Sequence, residues 1–219
     1  MSIITPYCIT QSSLKSILFT QINCADLQTN VLQVSPLHLA AQFSSAQVVN
    51  ALIDAGADLE AVDDQNSRPL HLAARFDQSG IVVRALIKAG ANVEERDNQG
   101  DSPLHKAVRF NQCADVSMAL INAGAGVNCL VDHSLMTPLH LACSFNPGIV
   151  NTLLEAGVWV NILNIQHQSP LFLAALKNHR KAVLVLLAYG ADFELGINPL
   201  LYSSISPEMK AFLIKNKSI

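Results

Sequence analysis

Four histidines recur along the chain, each opening a short motif of the same form. The motifs are HLAAQFSS, HLAARFDQ, HKAVRFNQ and HLACSFNP, and they begin at His38, His71, His105 and His140. Imidazole is a common metal ligand and transfers protons near neutral pH. A structural metal site needs its ligands around one ion. Because each histidine belongs to its own copy of the motif, about one repeat from the next, the four cannot share an ion, and no metal site is predicted.

Other patterns of catalytic or cofactor-binding sites are missing from the sequence. The stretch AGAGVN, with Gly124 and Gly126, follows a predicted helix instead of a strand, and no Lys-Ser or Lys-Thr pair closes it as in a phosphate loop. The chain contains neither HExxH nor GxSxG. We therefore expect no cofactor, and the protein is predicted not to be an enzyme.

The composition restricts the classes of partner. Half of the residues (50%) are apolar, 14% are charged, and the formal net charge is −3 without any cluster of Lys and Arg. This charge gives no attraction to nucleic acid or to an anionic membrane. The five cysteines form no CxxC and no disulfide-scaffold spacing, and the N-terminus lacks the pattern of a signal peptide. Reduced thiols and a cytoplasmic location are expected.

The elements that position these residues are internal repeats. SPLHLA at 35 is followed by RPLHLA at 68, SPLHKA at 102, TPLHLA at 137, SPLFLA at 169 and a degraded NPLLYS at 198. Each Ser-Pro or Thr-Pro pair predicts a helix start, with the hydroxyl at the N-cap and proline in the first turn. A second helix follows and ends at a glycine, then a polar loop leads to the next proline. A period of this size predicts stacked units.

The repeat resembles that of the ankyrin family, whose signature is T-P-L-H-x-A. The resemblance covers about residues 23–214. It implies an all-α solenoid of stacked helix-turn-helix units, with β-hairpin-like finger loops projecting from one edge. We assign an N-terminal extension (1–12), a capping half-repeat (13–34), five repeats (35–67, 68–101, 102–136, 137–168 and 169–197) and a C-terminal capping repeat (198–219).

In this family the motif histidine binds the backbone near the proline turn and ties neighbouring repeats together. The resemblance therefore implies a structural role for all four histidines. Phe172 stands at the equivalent position in the fifth repeat. We therefore expect the weakest junction around repeats four and five.

Phe43, Phe76, Phe110 and Phe145 occupy one position in four repeats. In ankyrin proteins this position often faces the partner from the concave surface, and aromatic and arginine side chains are enriched at hot spots. Lys177 replaces the phenylalanine in the fifth repeat, where the usual family turn with His179 is present. Phenylalanine thus occurs where that turn is absent, which favours packing of an altered turn. Partner binding and packing both stay open.

The finger loops change character along the chain. EAVDDQNSR (60–68) and EERDNQGDS (94–102) are acidic and polar, whereas NCLVDHSLM (128–136) and VWVNILNIQHQ (158–168) are rich in apolar residues. Apolar loop tips reduce solubility, so they are candidates for a docking patch. The alternative is that neighbouring fingers pack against each other.

The expected function is a non-catalytic protein-protein interaction module, or scaffold, that binds another protein of unknown identity. Alternatives are a substrate-recruiting adaptor subunit of a larger complex, such as a ubiquitin ligase, and a pathogen effector acting on host proteins. Weak self-association through the apolar fingers is also considered, and the resemblance admits hydroxylation of Asn128 or Asn161. The predicted partner-binding residues are Trp159, Leu163, Ile162, Leu130, Met136, Phe76, Arg75, Phe110 and Arg109.

Overall fold

The structure, a computed structural model, describes residues 33–43, 45–131, 133–196 and 202–216. This part of the chain contains eleven α-helices, one 3₁₀ turn (Pro147–Ile149) and no strand. The helices are α1 (Pro36–Phe43), α2 (Ala46–Asp54), α3 (Pro69–Phe76), α4 (Ile81–Lys88), α5 (Pro103–Phe110), α6 (Ala114–Asn122), α7 (Pro138–Phe145), α8 (Val150–Glu155), α9 (Pro170–Leu176), α10 (Arg180–Ala188) and α11 (Pro207–Lys215).

The odd-numbered helices α1 to α9, called first helices here, all begin at the proline of the motif. Proline is suited to this position because its fixed φ is helical and its missing N–H would have no partner there. In four of the five first helices a serine or threonine precedes the proline, and the Ser169 side chain, for example, caps its helix by accepting from the N–H of Phe172. Four of the five first helices end at a phenylalanine, so the helix bounds follow the repeated motif closely.

The even-numbered helices α2 to α10, called second helices, are each closed by a glycine in the left-handed region. At the end of α4, Gly90 has φ +101°, and its N–H donates to the carbonyl of Ile87. The next N–H, of Ala91, reaches back to the carbonyl of Leu86, which satisfies a carbonyl that the helix leaves without a partner. The glycines at equivalent positions are Gly56, Gly124, Gly157 and Gly190.

The helices form two layers. Each first helix packs against the first helices of the neighbouring repeats, and the second helices stack beside them in the same order. Alanines such as Ala73 and Ala107 are fully buried between the first helices and let their backbones approach closely. Leu and Val from both layers fill the space between them. The all-α repeat solenoid implied by the resemblance is therefore confirmed.

Four finger loops connect the repeats: finger 1 (60–68), finger 2 (94–102), finger 3 (128–136) and finger 4 (158–168). In finger 2 the N–H of Asp97 donates to the carbonyl of Asp101, which closes a hairpin-like turn without forming a strand. One residue near each turn has a positive φ. These residues are Asn66, Gly100, Leu135 and His167.

The two ends of the array are described unequally. Nearly all of the capping half-repeat assigned to 13–34, and the whole extension 1–12, lie outside the described residues. At the other end α11 is present, and Gly196 lies so close to the start of α9 that a Cβ there would be 2.6 Å from the Ser169 nitrogen. Of the helices that the structure describes, none has the length and apolar character needed to cross a membrane.

Candidate interaction surface

The motif histidines are buried and use both ring nitrogens. His140 Nδ1 accepts from the N–H of Thr137 at 3.1 Å, and Nε2 contacts the carbonyl of Gln168 at 3.1 Å. Because a carbonyl only accepts, Nε2 must carry the proton, and the ring is neutral. His38, His71 and His105 make the same pair of contacts, to the residue before their proline and to a carbonyl of the next finger.

Burial lowers the pKa of these imidazoles. Desolvation by burial is the main cause for all four, and it lowers the pKa of His105 and His140 to about 4. The histidines are thus neutral structural links between each first helix and the finger that leads to the next repeat, in agreement with the structural role that the resemblance implies. Among the described residues, no group of three or more His, Cys, Asp or Glu side chains could hold a metal ion.

One cluster contains the residue types of a nucleophilic site. Ser102 Oγ lies 2.9 Å from His105 Nδ1, and Cys129 Sγ lies 3.6 Å from His105 Nε2. Activation of a thiol requires a lowered pKa or a free base. Burial instead raises the pKa of Cys129, its thiol donates to the carbonyl of Gly126, and both nitrogens of His105 are already bonded. The arrangement therefore supports finger 3 and lacks an activated nucleophile.

The four phenylalanines stand outside the core. Phe43, Phe76, Phe110 and Phe145 are 57%, 36%, 43% and 51% exposed, and none belongs to the buried cluster. Each is the last residue of its first helix, so the four rings form a row along one end of the first-helix layer. We call these four residues the Phe row.

The altered turns after Phe76, Phe110 and Phe145 are held by the residue that follows each ring. Asn111 is buried and its Nδ2 donates to the carbonyls of Ala74 and Asp77 in the preceding repeat. Asn146 donates in the same way to the carbonyl of Asn111, and Asp77 accepts from the N–H of Val83. These turns are thus held by a small polar residue, while packing of the rings and partner binding by the rings both stay predictions. In the sequence, the repeated pairs Phe-Asp and Phe-Asn are the signal of this arrangement.

Three cations surround the ring of Phe110. Arg75 Cζ lies 4.4 Å from its centroid, Arg109 Cζ 5.8 Å and Lys106 Nζ 5.9 Å. Arg75 also lies 4.9 Å from the ring of Phe76, so the structure brings four predicted partner-binding residues into one cluster. Such cation–π contacts hold the cations against the rings.

Two of these cations are neutralised by buried carboxylates. Lys106 Nζ is 2.5 Å from Asp97 and 3.2 Å from Asp101, and Arg109 is 3.1 Å from Asp101. The lysine and both aspartates are buried. Sequence reasoning missed this network, although its signal is a lysine at a position where the four other repeats have leucine.

The remaining predicted residues lie in fingers 3 and 4, at the opposite end of the first helices from the Phe row. With helices of eight residues the two regions are about 12 Å apart along a first helix. Trp159 is 59% exposed, whereas Leu130, Ile162 and Leu163 are half-buried. Met136 packs against the core. Leu163 lies beneath Gly196, where its Cδ2 would be 2.9 Å from a Cβ.

Two exposed apolar residues lie beside the predicted ones. Ile165 in finger 4 and Leu135 in finger 3 are 58% and 40% exposed, and the N–H of Ile165 donates to the carbonyl of Ser134. The two fingertips are therefore adjacent. The two fingers contact each other through the backbone, while the side chains of Leu135 and Ile165 remain exposed.

Asn128 and Asn161 each bind the next repeat. Asn128 Oδ1 accepts from the N–H of Trp159 at 2.7 Å, and Asn161 Oδ1 accepts from the N–H of Asp192 at 2.7 Å. Glu60 and Glu94 make the equivalent bonds to Asn92 and Gly126 earlier in the chain. One side chain in each finger thus bonds the backbone of the following unit.

Comparison with known proteins agrees with this architecture. A family model described as ankyrin repeats (3 copies) matches residues 9–97, 37–130, 70–164 and 118–197, which together extend over most of the chain. The structure and the family match therefore describe the same series of repeats.

Similar stretches occur in much longer proteins. Transient receptor potential cation channel subfamily A member 1 of Drosophila melanogaster is 44% identical over 61 residues, which are 27% of this chain and 5% of that protein. Neurogenic locus notch homolog protein 2 of Homo sapiens is 43% identical over 54 residues, 25% of this chain and 2% of that protein. The Mus musculus protein of the same name gives the same values. The chain therefore spans only a small part of the length of these relatives.

Proposed function

Because the chain belongs to the ankyrin-repeat family, we propose that it is a non-catalytic interaction module that binds a partner protein through its first-helix layer and fingers. Ankyrin repeats are general protein-protein interaction modules and are typically non-catalytic. The observation that carries the proposal for this surface is the Phe row. Four large apolar side chains at one position of four consecutive repeats contribute little to the core and remain exposed. Repeated exposed aromatics indicate a binding site.

Finger 3 supports the proposal with a second observation. Leu135 is exposed and has φ +51°, a conformation that is unfavourable for leucine. The equivalent positions in fingers 1 and 2 are Asn66 and Gly100, which adopt positive φ with less strain. Folding alone would favour one of these residues. An exposed leucine that costs about 1 kcal/mol of strain is consistent with a contact made to a partner.

The experiment is a quantitative affinity enrichment from cell extract with the protein as bait. One variant removes exposed rings from the Phe row (Phe43→Ser with Phe145→Ser), and another removes exposed finger residues (Trp159→Ala with Ile165→Ser). Ile165 is chosen over Leu163 because Leu163 packs inside the array. If Trp159 is a hot spot, its truncation weakens binding by about 2–4 kcal/mol.

The matched control removes two exposed apolar side chains elsewhere, Ile81 on α4 and Ile214 on α11, with serine at both positions. We expect a partner that the Phe-row and finger variants lose and the control retains. Urea unfolding of each variant verifies that the array remains folded. Equal recovery of every partner by all variants would contradict the proposed surface.

A further inference from the structure

The guanidinium group of Arg75 lies between two aromatic rings from consecutive repeats. Its Cζ is 4.9 Å from the ring centroid of Phe76 and 4.4 Å from that of Phe110. All three side chains are at the surface. A planar guanidinium can stack on aromatic rings while the N–H groups at its edge stay available for hydrogen bonds. The rings therefore restrain the Arg75 side chain in the unbound protein.

These N–H groups have no partner within the described part of the chain. Arg75 makes no ion pair and no hydrogen bond to another described residue. Other arginines do: Arg109 pairs with Asp101, and Arg68 with Glu60 and Glu95. Arg75 thus differs from these arginines: two aromatic rings hold its side chain in place, and no carboxylate of the described residues neutralises its charge.

The charges around Arg75 favour a negatively charged ligand. The five first helices contain no Asp or Glu. Lys106 and Arg109, the cations that share the ring of Phe110, are already paired with Asp97 and Asp101. A single unpaired guanidinium matches the single charge of a carboxylate. A phosphate group would need a second free cation, and the two beside it are neutralised.

We propose that Arg75, held between Phe76 and Phe110, is the receptor for one carboxylate side chain of the partner protein, in a segment that also places apolar side chains on the Phe row. This inference rests on the proposed function and specifies its partner. The guanidinium donates two parallel hydrogen bonds to the carboxylate, because a planar fork and a carboxylate have matching geometry. Restraint by the rings lowers the entropy lost on binding.

The test is selection of a random dodecapeptide library, displayed on phage, against the intact protein. We expect the enriched peptides to share an Asp or Glu flanked by apolar residues. The most enriched peptide is then synthesised in two forms, with the carboxylate and with the corresponding amide. Titration calorimetry measures both against the wild type and Arg75→Gln. We expect Arg75→Gln to weaken the acidic peptide roughly 10- to 100-fold, the range for hydrogen bonds to charged groups.

The double-mutant cycle identifies the contact. Once Arg75 is glutamine, exchange of the carboxylate for an amide should cost no further affinity, because the two changes remove the same interaction. Arg75→Lys should also weaken binding, since an ammonium group cannot stack between the rings and donate as a fork. The matched control is Arg84→Gln, which removes an exposed arginine of α4 in the same repeat and should leave the affinity unchanged.

Three results would overturn the inference. Enriched peptides without an acidic residue, or with equal affinity for the wild type and Arg75→Gln, would exclude the carboxylate receptor. If those peptides still depend on the Phe row, the proposed function survives. Displacement of the peptide by inorganic phosphate at far lower concentration than acetate would assign the site to phosphate. If no peptide depends on Arg75, the Phe row or the fingers, both proposals fail.

Discussion

At the scale of single residues, the motif histidines combine burial with a fixed proton position. Each Nδ1 accepts from a backbone N–H and each Nε2 donates to a backbone carbonyl, and the contact at Nδ1 requires the neutral ring. A second proton would be placed on Nδ1, where it would face a donor. The same geometry that ties the repeats together therefore makes the ties sensitive to acid.

We predict that the protein loses stability as the pH falls from 7 to 5.5. Burial holds the pKa of His105 and His140 at about 4, below the 6.5 of an exposed imidazole. The unfolded chain therefore binds protons first: stability is complete above pH 6.5 and declines as the pH falls towards 4. The loss by pH 5.5 should be about 1 kcal/mol for each of the two histidines. Urea unfolding at both pH values measures it.

The fifth repeat suggests the control for this experiment. This repeat carries Phe172 in place of the histidine, and the phenylalanine side chain is buried there. His140→Phe should lower stability at pH 7, because two hydrogen bonds are lost, yet its further loss at pH 5.5 should be smaller than that of the wild type. An unchanged dependence on pH in this variant would mean that other groups titrate.

Residue roles were predictable where the repeated motif itself carried them. The position of the histidine in TPLH-like motifs indicated a link between repeats, and the structure has it. The turn role of Asn111 was not predictable, because its acceptors, the carbonyls of Ala74 and Asp77, lie 37 and 34 residues away in the sequence. Exposure of Trp159 agrees with its proposed role in binding, which binding experiments must test.

At the scale of elements, finger 2 and α5 are joined by charges buried in one repeat. Lys106 in α5 contacts Asp97 and Asp101 in finger 2. The preceding repeat has Leu72 and Ser67 at the positions of Lys106 and Asp101. The fold therefore accommodates an uncharged version of the same contact. Loss of one charge partner should be more harmful than loss of both.

We predict that Lys106→Leu destabilises the protein by about 3 kcal/mol, since it removes one of the two cations that neutralise the buried Asp101 and leaves Arg109 alone to do so. The double variant Lys106→Leu with Asp101→Ser, which copies the preceding repeat, should recover most of this loss. Asp97 is expected to tolerate the change, because its Oδ1 accepts two backbone N–H groups, as that of Asp63 does in finger 1. Urea midpoints at pH 7 compare the two. A double variant no more stable than the single would contradict the explanation.

Elements were predictable from their boundaries, while the chemistry between them was not. Proline and glycine indicated where the first and second helices begin and end, because these residues have few conformational options. Lys106 instead resembled a polar interruption of an apolar pattern. The structural role of this lysine depends on two aspartates in finger 2. The residue pattern of a helix does not show which charged residues of a loop will pack against it.

At the scale of the whole molecule, stability is the sum of contacts between neighbouring repeats. The weakest junction was expected around repeats four and five, where the histidine is lost. The structure refines where the missing bond lies, because a motif histidine bonds the finger that follows its helix: His140 reaches the carbonyl of Gln168, directly before repeat five. The link missing at Phe172 would join repeat five to the C-terminal cap.

We predict that opening of the array begins at its C-terminal junction. Backbone amides of α11 should exchange with deuterium faster than those of α5 to α8, because local opening reports the weakest interface. Hydrogen exchange with mass spectrometry resolves these segments. His140→Phe should create a second early-opening junction, visible as faster exchange in α8 and α9. Slow exchange in α11 together with fast exchange between α7 and α10 would contradict the assignment.

The bonds between fingers join equivalent positions of successive repeats. Glu60 accepts from the N–H of Asn92, and Glu94 accepts in the same way from the N–H of Gly126, 32 residues on in each case. If a gene duplication copied one whole repeat in tandem, each new boundary would therefore contain the same donor and acceptor as the old one. The copy would also bring its own phenylalanine. As far as this bond is concerned, the array can gain or lose whole repeats during evolution without a compensating substitution at the new boundary.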